Sequence, residues 1–178
     1  MNRKNTTLRI VTAALIAAAY AALTILLAPI SYGPLQFRVS EALTVLPFLM
    51  PFSVWGIFIG CVLANLYTGS VLDIVFGSLA TLLAGLLTAR FGKRGSTVRT
   101  RLLACLMPVL FNAVIVGAVL TWGYQFQEFP DNALASYGFN ALTVGLGELG
   151  VLYLIGYTLL RQLPKIKSVR EFFARVNQ

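Results

Sequence analysis

The chain has 178 residues, 58% of them hydrophobic and only 11% charged, with a formal net charge of +8. A soluble domain carries roughly a quarter charged residues. These proportions, with a mean hydropathy of +0.80, exclude a water-soluble fold and predict an all-α integral membrane protein with one helical domain. The basic residues gather at predicted loops and termini, so their natural partners are anionic lipid headgroups and not nucleic acid.

The N-terminal MNRKNTTLR leads into an apolar run over residues 10–29. That run is too long for a leader's apolar core, and no A-x-A cleavage site follows, so it reads as span 1, entered from the cytoplasm. Two stripes of small residues lie side by side on it. One is Ala13, Ala17 and Ala21; the other is Ala14, Ala18 and Ala22. Either stripe lets another helix backbone approach closely.

A Gly33-Pro34 turn follows. Residues 38–67 are then almost wholly apolar. As one helix they would extend about 45 Å, too long for a hydrocarbon layer of about 30 Å. Pro47 and Pro51 interrupt them, which predicts span 2 over 36–50 and span 3 over 53–67. Span 4 covers 71–89. The segment RFGKRGSTVRTR then holds Arg90, Lys93, Arg94, Arg99 and Arg101 with no acid, and is predicted to be cytoplasmic. An even number of spans must separate it from the basic N-terminus, which supports the split at Pro51. Span 5 covers 102–122, the acidic and aromatic loop YQFQEFPDNALAS lies outside, and span 6 covers 137–160. The basic tail returns to the cytoplasm. Its Val169, Phe172, Phe173 and Val176 recur at helical spacing and predict a helix on the membrane surface. The expected architecture is a bundle of six transmembrane helices with both termini cytoplasmic.

Polar side chains within such spans are costly and mark function. In this topology Gln36, Arg38, Glu41, Asn65, Asp73 and Trp122 fall in the outer half, and Asn112 and Glu148 near mid-depth. Together they predict a substrate pocket opening outward. Structural roles compete for several of them. Arg38 and Glu41, at i and i+3, also suit a simple ion pair. Asp73 suits an N-cap, a role Ser70 can fill as well. Asn65 and Asn112 suit interhelical hydrogen bonding, and Trp122 and Tyr124 an aromatic belt. Glu148, within VGLGELG, has no basic residue at its depth and is the strongest ligand candidate. The chain lacks a GxxxxGK[ST] phosphate loop, and without histidine it has no Ser-His or Cys-His pair. An enzyme is disfavoured, and neither a metal site nor a cofactor is expected in this chain. With Cys61 and Cys105 both in apolar runs, no disulfide framework is expected.

The motifs QFRVSEALTVLPFL, LDIVFGSLATLLAG, NAVIVG and GELG, in that order, resemble the QueT family. These are substrate-binding S components of energy-coupling factor (ECF) transporters, assigned to uptake of queuosine precursors. The resemblance covers nearly the whole chain. It implies an S-component-like fold of six helices in a prokaryotic-type plasma membrane, with a substrate site near the outer face. It also implies partners: a transmembrane T component, which docks on small residues of the first helix such as Ala14, Ala18 and Ala22, and two cytoplasmic ATPases. The implied ligand is a deazaguanine base such as 7-aminomethyl-7-deazaguanine. Carboxylates suit its N–H donor edge and its ammonium group, and aromatic faces suit its ring; Glu148 and Glu41 are the preferred pair. The chain departs from the family pattern at Val119, where many relatives have an acid, and at Tyr67-Thr68, where a glycine is common. The alternatives are an autonomous proton-coupled carrier, or an S component for another vitamin-like substrate.

Overall fold

A computed structural model describes residues 3–32 and 36–177; the Gly33-Pro34 turn lies outside the described residues. Every regular element among the described residues is helical. We number the main helices α1 (Arg3–Leu26), α2 (Val39–Phe48), α3 (Ser53–Thr68), α4 (Asp73–Lys93), α5 (Val98–Gly123), α6 (Ala133–Lys165) and α7 (Lys167–Val176). Residues 5–26 of α1, and α4, α5 and α6, are each long and apolar enough to cross a membrane. The other two apolar helices, α2 and α3, are shorter. The predicted break at Pro51 is present: the backbone N–H groups of Leu49 and Met50 both return to the Leu46 carbonyl, and α3 begins at Ser53.

Helix α2 is a ten-residue 3₁₀ helix containing Pro47. A 3₁₀ run of that length is uncommon, and at about 2 Å per residue it rises only about 20 Å. Its position makes this tolerable. Ser40, Glu41, Ala42, Thr44 and the run from Val45 to Phe48 are all buried, so α2 is an inner post wrapped by the other helices. Irregular backbone at membrane depth survives where protein shields it from lipid. Val45, Phe48 and Ala42 form one core with Val109 of α5 and Val151, Leu152 and Leu160 of α6.

The two alanine stripes of α1 have different surroundings. Ala17 and Ala21 are buried, while Ala14, Ala18 and Ala22 are exposed. The first stripe meets Gly56 and Gly60 of α3. A Cβ at Gly60 would lie 2.7 Å from the Ala17 carbonyl oxygen and 2.9 Å from Tyr20 Cβ. The glycines therefore let the two backbones touch. At the far end of the bundle, Arg9 Nε donates to the Val176 carbonyl at 2.6 Å, and Asn177 Nδ2 donates to the Leu49 carbonyl at 2.9 Å. Val176 is fully buried, with Phe172 and Phe173 packed on the core that includes Ile16, Leu46 and Ile57. The apolar face of α7 thus packs in part against the bundle, with Val176 buried and Phe172 and Phe173 half-buried.

Candidate functional site

The first turn of α2 places Arg38 and Glu41 inside the bundle, 7% and 0% exposed. Their side chains pair at 3.8 Å. The Tyr20 hydroxyl of α1 donates to Glu41 Oε1. One turn further along α1, Thr24 and Ser40 share a hydrogen bond of 2.6 Å. From the other side Asn112 of α5 donates to Glu148 Oε1 of α6 at 3.0 Å. Arg38 is close enough for its charge to act on both carboxylates. Glu148, 2% exposed, is therefore not alone, contrary to its sequence position. Because α2 runs inside the bundle, its basic turn faces the middle of α5 and α6. Three atoms of this cluster, Arg38 Nε, Glu41 Oε2 and Glu148 Oε2, are buried without a hydrogen-bond partner among the described residues. Buried polar atoms are normally paired, so such a concentration marks a functional place.

Arg38 also faces a cavity of about 330 Å³, lined by Tyr32, Gln36, Arg38, Thr68, Ser70, Asp73, Leu120, Tyr124 and Phe126. The Arg38 guanidinium stands 5.3 Å from the Tyr32 ring centre, a cation–π distance. The Tyr32 hydroxyl donates to the Ala64 carbonyl at 2.7 Å, which anchors that ring to α3. Tyr124 donates to Asp73 Oδ2 at 2.6 Å and also bonds Ser70. Burial first, and then the bond to Asp73, push the Tyr124 phenol up, so it remains a donor at neutral pH. Ser70 Oγ accepts from the Asp73 backbone N–H at 3.3 Å. Ser70 thus takes the capping role, and the Asp73 carboxylate is left to the cavity. Gln36 enters this wall with φ +42°, in the left-handed region. A second cavity of about 200 Å³ adjoins the first and shares Tyr32, Leu120 and Phe126 with it.

The predicted site residues thus divide. Gln36, Arg38 and Asp73 line the cavity, and Glu41, Asn112 and Glu148 form a buried polar layer that Arg38 joins through Glu41. Asn65 ties α3 to α4: its Nδ2 donates to the Asp73 carbonyl at 2.8 Å and to Ser78 Oγ at 3.4 Å, and its Oδ1 is unpartnered. Trp122 stands apart. It is 54% exposed and stacks on Tyr137, ring centres 5.1 Å apart, in an apolar groove with Leu72, Phe76 and Val114. Its π-helical turn, Val119–Gly123, carries it to that face. Val119 lines the same groove, whereas Thr68 is in the cavity wall. Sequence reasoning passed over Tyr20, Tyr32 and Phe126. Tyr20 carried a signal, a lone phenol within the alanine-rich run of α1.

A multi-helix membrane body with a charged and aromatic cavity beside a buried ionic layer is suited to holding a small, flat, polar ligand. The family model described as QueT transporter matches residues 10–165; the chain belongs to this family and is a multi-pass membrane protein. It is 42% identical over 82 residues to a protein of Lactococcus lactis subsp. cremoris (strain MG1363) named queuosine precursor transporter QueT. That similarity covers 45% of this chain and 48% of the relative, so the aligned chain spans about half the relative's length. No solved structure matches the chain.

Proposed function

We propose that this chain is the substrate-binding membrane subunit of an ATP-driven importer of the energy-coupling factor type, and that it captures a queuosine precursor. The observation that carries the reading is the cavity in which Arg38 and Asp73 stand among Tyr32, Tyr124 and Phe126. A deazaguanine base such as 7-aminomethyl-7-deazaguanine presents paired N–H donors and a carbonyl oxygen on one edge, and a flat face. Asp73 suits the donors, Arg38 suits the carbonyl oxygen, and the aromatic walls suit the face. Glu41 and Glu148 take their part by holding the Arg38 guanidinium in position, and Asn112 by holding Glu148. The name of the Lactococcus relative supports the substrate class.

The topology and the partners belong to the same proposal. Six crossings with cytoplasmic termini agree with the five cations between Arg90 and Arg101 and with an acidic outer loop. The exposed Ala14, Ala18 and Ala22 give α1 a smooth face for the transmembrane T component. Two cytoplasmic ATPases would supply the energy.

The test is binding to the purified chain, followed by uptake. 7-Aminomethyl-7-deazaguanine should raise its melting temperature and bind saturably, and Arg38→Gln and Asp73→Asn should each weaken that binding at least about tenfold, the value of one good charged hydrogen bond. Wild-type affinity in both variants would remove the base from this cavity. Uphill uptake into liposomes by the chain alone, driven only by a proton gradient, would replace the importer subunit with an autonomous carrier.

A further inference from the structure

The 200 Å³ chamber beside the main cavity has a composition of its own. Three of its walls are aromatic, Tyr32, Phe126 and Phe139, and its one ionisable acid is Glu128. Its other polar side chains are already engaged. Asn140 Nδ2 donates to Thr121 Oγ1 and to the Phe126 carbonyl, each at 2.9 Å, and Thr143 Oγ1 donates to the Asn140 carbonyl at 2.9 Å. Among the described residues, no basic side chain lines it. Aromatic faces and a carboxylate around a small, partly open space make a surface selective for organic cations, because ring quadrupole and carboxylate attract the same charge. The neighbouring cavity uses Tyr32 in this way already, with Arg38 over its ring at 5.3 Å.

We infer that this chamber is a subsite for a primary ammonium group, and that Glu128 is a specificity-determining residue. The inference rests on the reading of the main cavity as the base site. The two cavities share Tyr32, Leu120 and Phe126, so the chamber adjoins the proposed base site, and the inference places in it the one-carbon amine arm of a base held by Arg38 and Asp73. The space exceeds that of one ammonium group, each water taking about 30 Å³, so the amine enters with part of its hydration and reaches Glu128 directly or across a water.

Two compounds separate the parts: 7-aminomethyl-7-deazaguanine, and 7-methyl-7-deazaguanine, the same base without the amine. Each is titrated calorimetrically into the wild-type chain, Glu128→Gln and Phe139→Leu. Glu128 is exposed, so its variant is expected to fold as wild type. The wild type should prefer the amine about tenfold or more, and Glu128→Gln should remove most of that preference while leaving the affinity for the methyl compound within about twofold. Phe139→Leu should narrow the preference partway. Equal binding of both compounds to wild type, or a preference unaltered in Glu128→Gln, overturns the inference while the base site stands. If neither compound binds the wild type, the base site falls and this subsite with it.

Discussion

Replacing Arg38 by methionine should destabilise the protein much more than replacing Glu41 by glutamine, although the two residues are partners in one ion pair. Arg38 pairs with Glu41 at 3.8 Å, and its charge also reaches the buried Glu148. Without it, Glu41 and Glu148 face each other with only Tyr20 and Asn112 as donors. Removing one partner of a buried pair costs about 3–5 kcal/mol. In Glu41→Gln the guanidinium keeps a neutral amide oxygen and the longer-range attraction of Glu148, and the loss is mainly that of charge-assisted bonds becoming neutral ones, about 1–2 kcal/mol. Equilibrium unfolding of the two variants in mild detergent measures the difference. The same logic requires a rescue: adding Glu41→Gln and Glu148→Gln to Arg38→Met should recover most of the loss, because no uncompensated charge then remains. If Glu41→Gln proves as damaging as Arg38→Met, or the triple variant is not rescued, the shared-cation account is wrong.

Glu148→Gln should fold normally and weaken deazaguanine binding about tenfold by loosening Arg38, measured by titration; unchanged affinity would reduce Glu148 to a structural group. Gly60→Leu should cost at least about 3 kcal/mol or prevent folding, since the added side chain meets the backbone of α1; unfolding in detergent reads this. Ala18→Trp lies on the exposed stripe and should leave melting temperature and ligand affinity unchanged while abolishing co-purification with the ATPase-bearing partners. A cysteine at Ser96 should resist an impermeant thiol reagent in intact cells, whereas one at Gln127 should react; the reverse labelling would invert the topology.

What was legible in the chain, and what was not, follows from how locally each feature is determined. Long apolar runs specify α1, α4, α5 and α6, and Pro51 in a run too long for a bilayer specifies the break before α3. The i, i+3 spacing of Arg38 and Glu41 already contained their ion pair. The 3₁₀ form of α2 was not legible, because it depends on neighbours that hide its backbone from lipid. Without it Arg38 looked shallow and Glu148 looked alone. Tail residues Phe172, Phe173 and Val176 gave the right helical face but not its packing against the bundle, since their partners lie as far away as Arg9, 167 positions from Val176. Trp122 was misplaced for a related reason. A π-helical turn rotates the residues after it relative to an ordinary helix, so sequence depth gave its height and not its direction.

The shortness of α3 has a consequence outside the protein. Its sixteen residues rise about 24 Å, and Trp55, Ile59, Leu63 and Leu66 line its exposed side. Under the six-span topology that side faces acyl chains whose relaxed layer is about 30 Å thick, so the lipid there must compress by about 6 Å, at a fraction of a kcal/mol per Å. The neighbouring described span, residues 5–26 of α1, is long enough to need no such compression. The dimple is therefore lopsided, centred on the α3 flank beside α1. Any membrane neighbour with similarly short helices relieves the deformation by settling there. Under that topology the elasticity of the bilayer would draw the proposed T component toward the α3 flank, beside the helix that carries Ala14, Ala18 and Ala22, before any side chain makes contact.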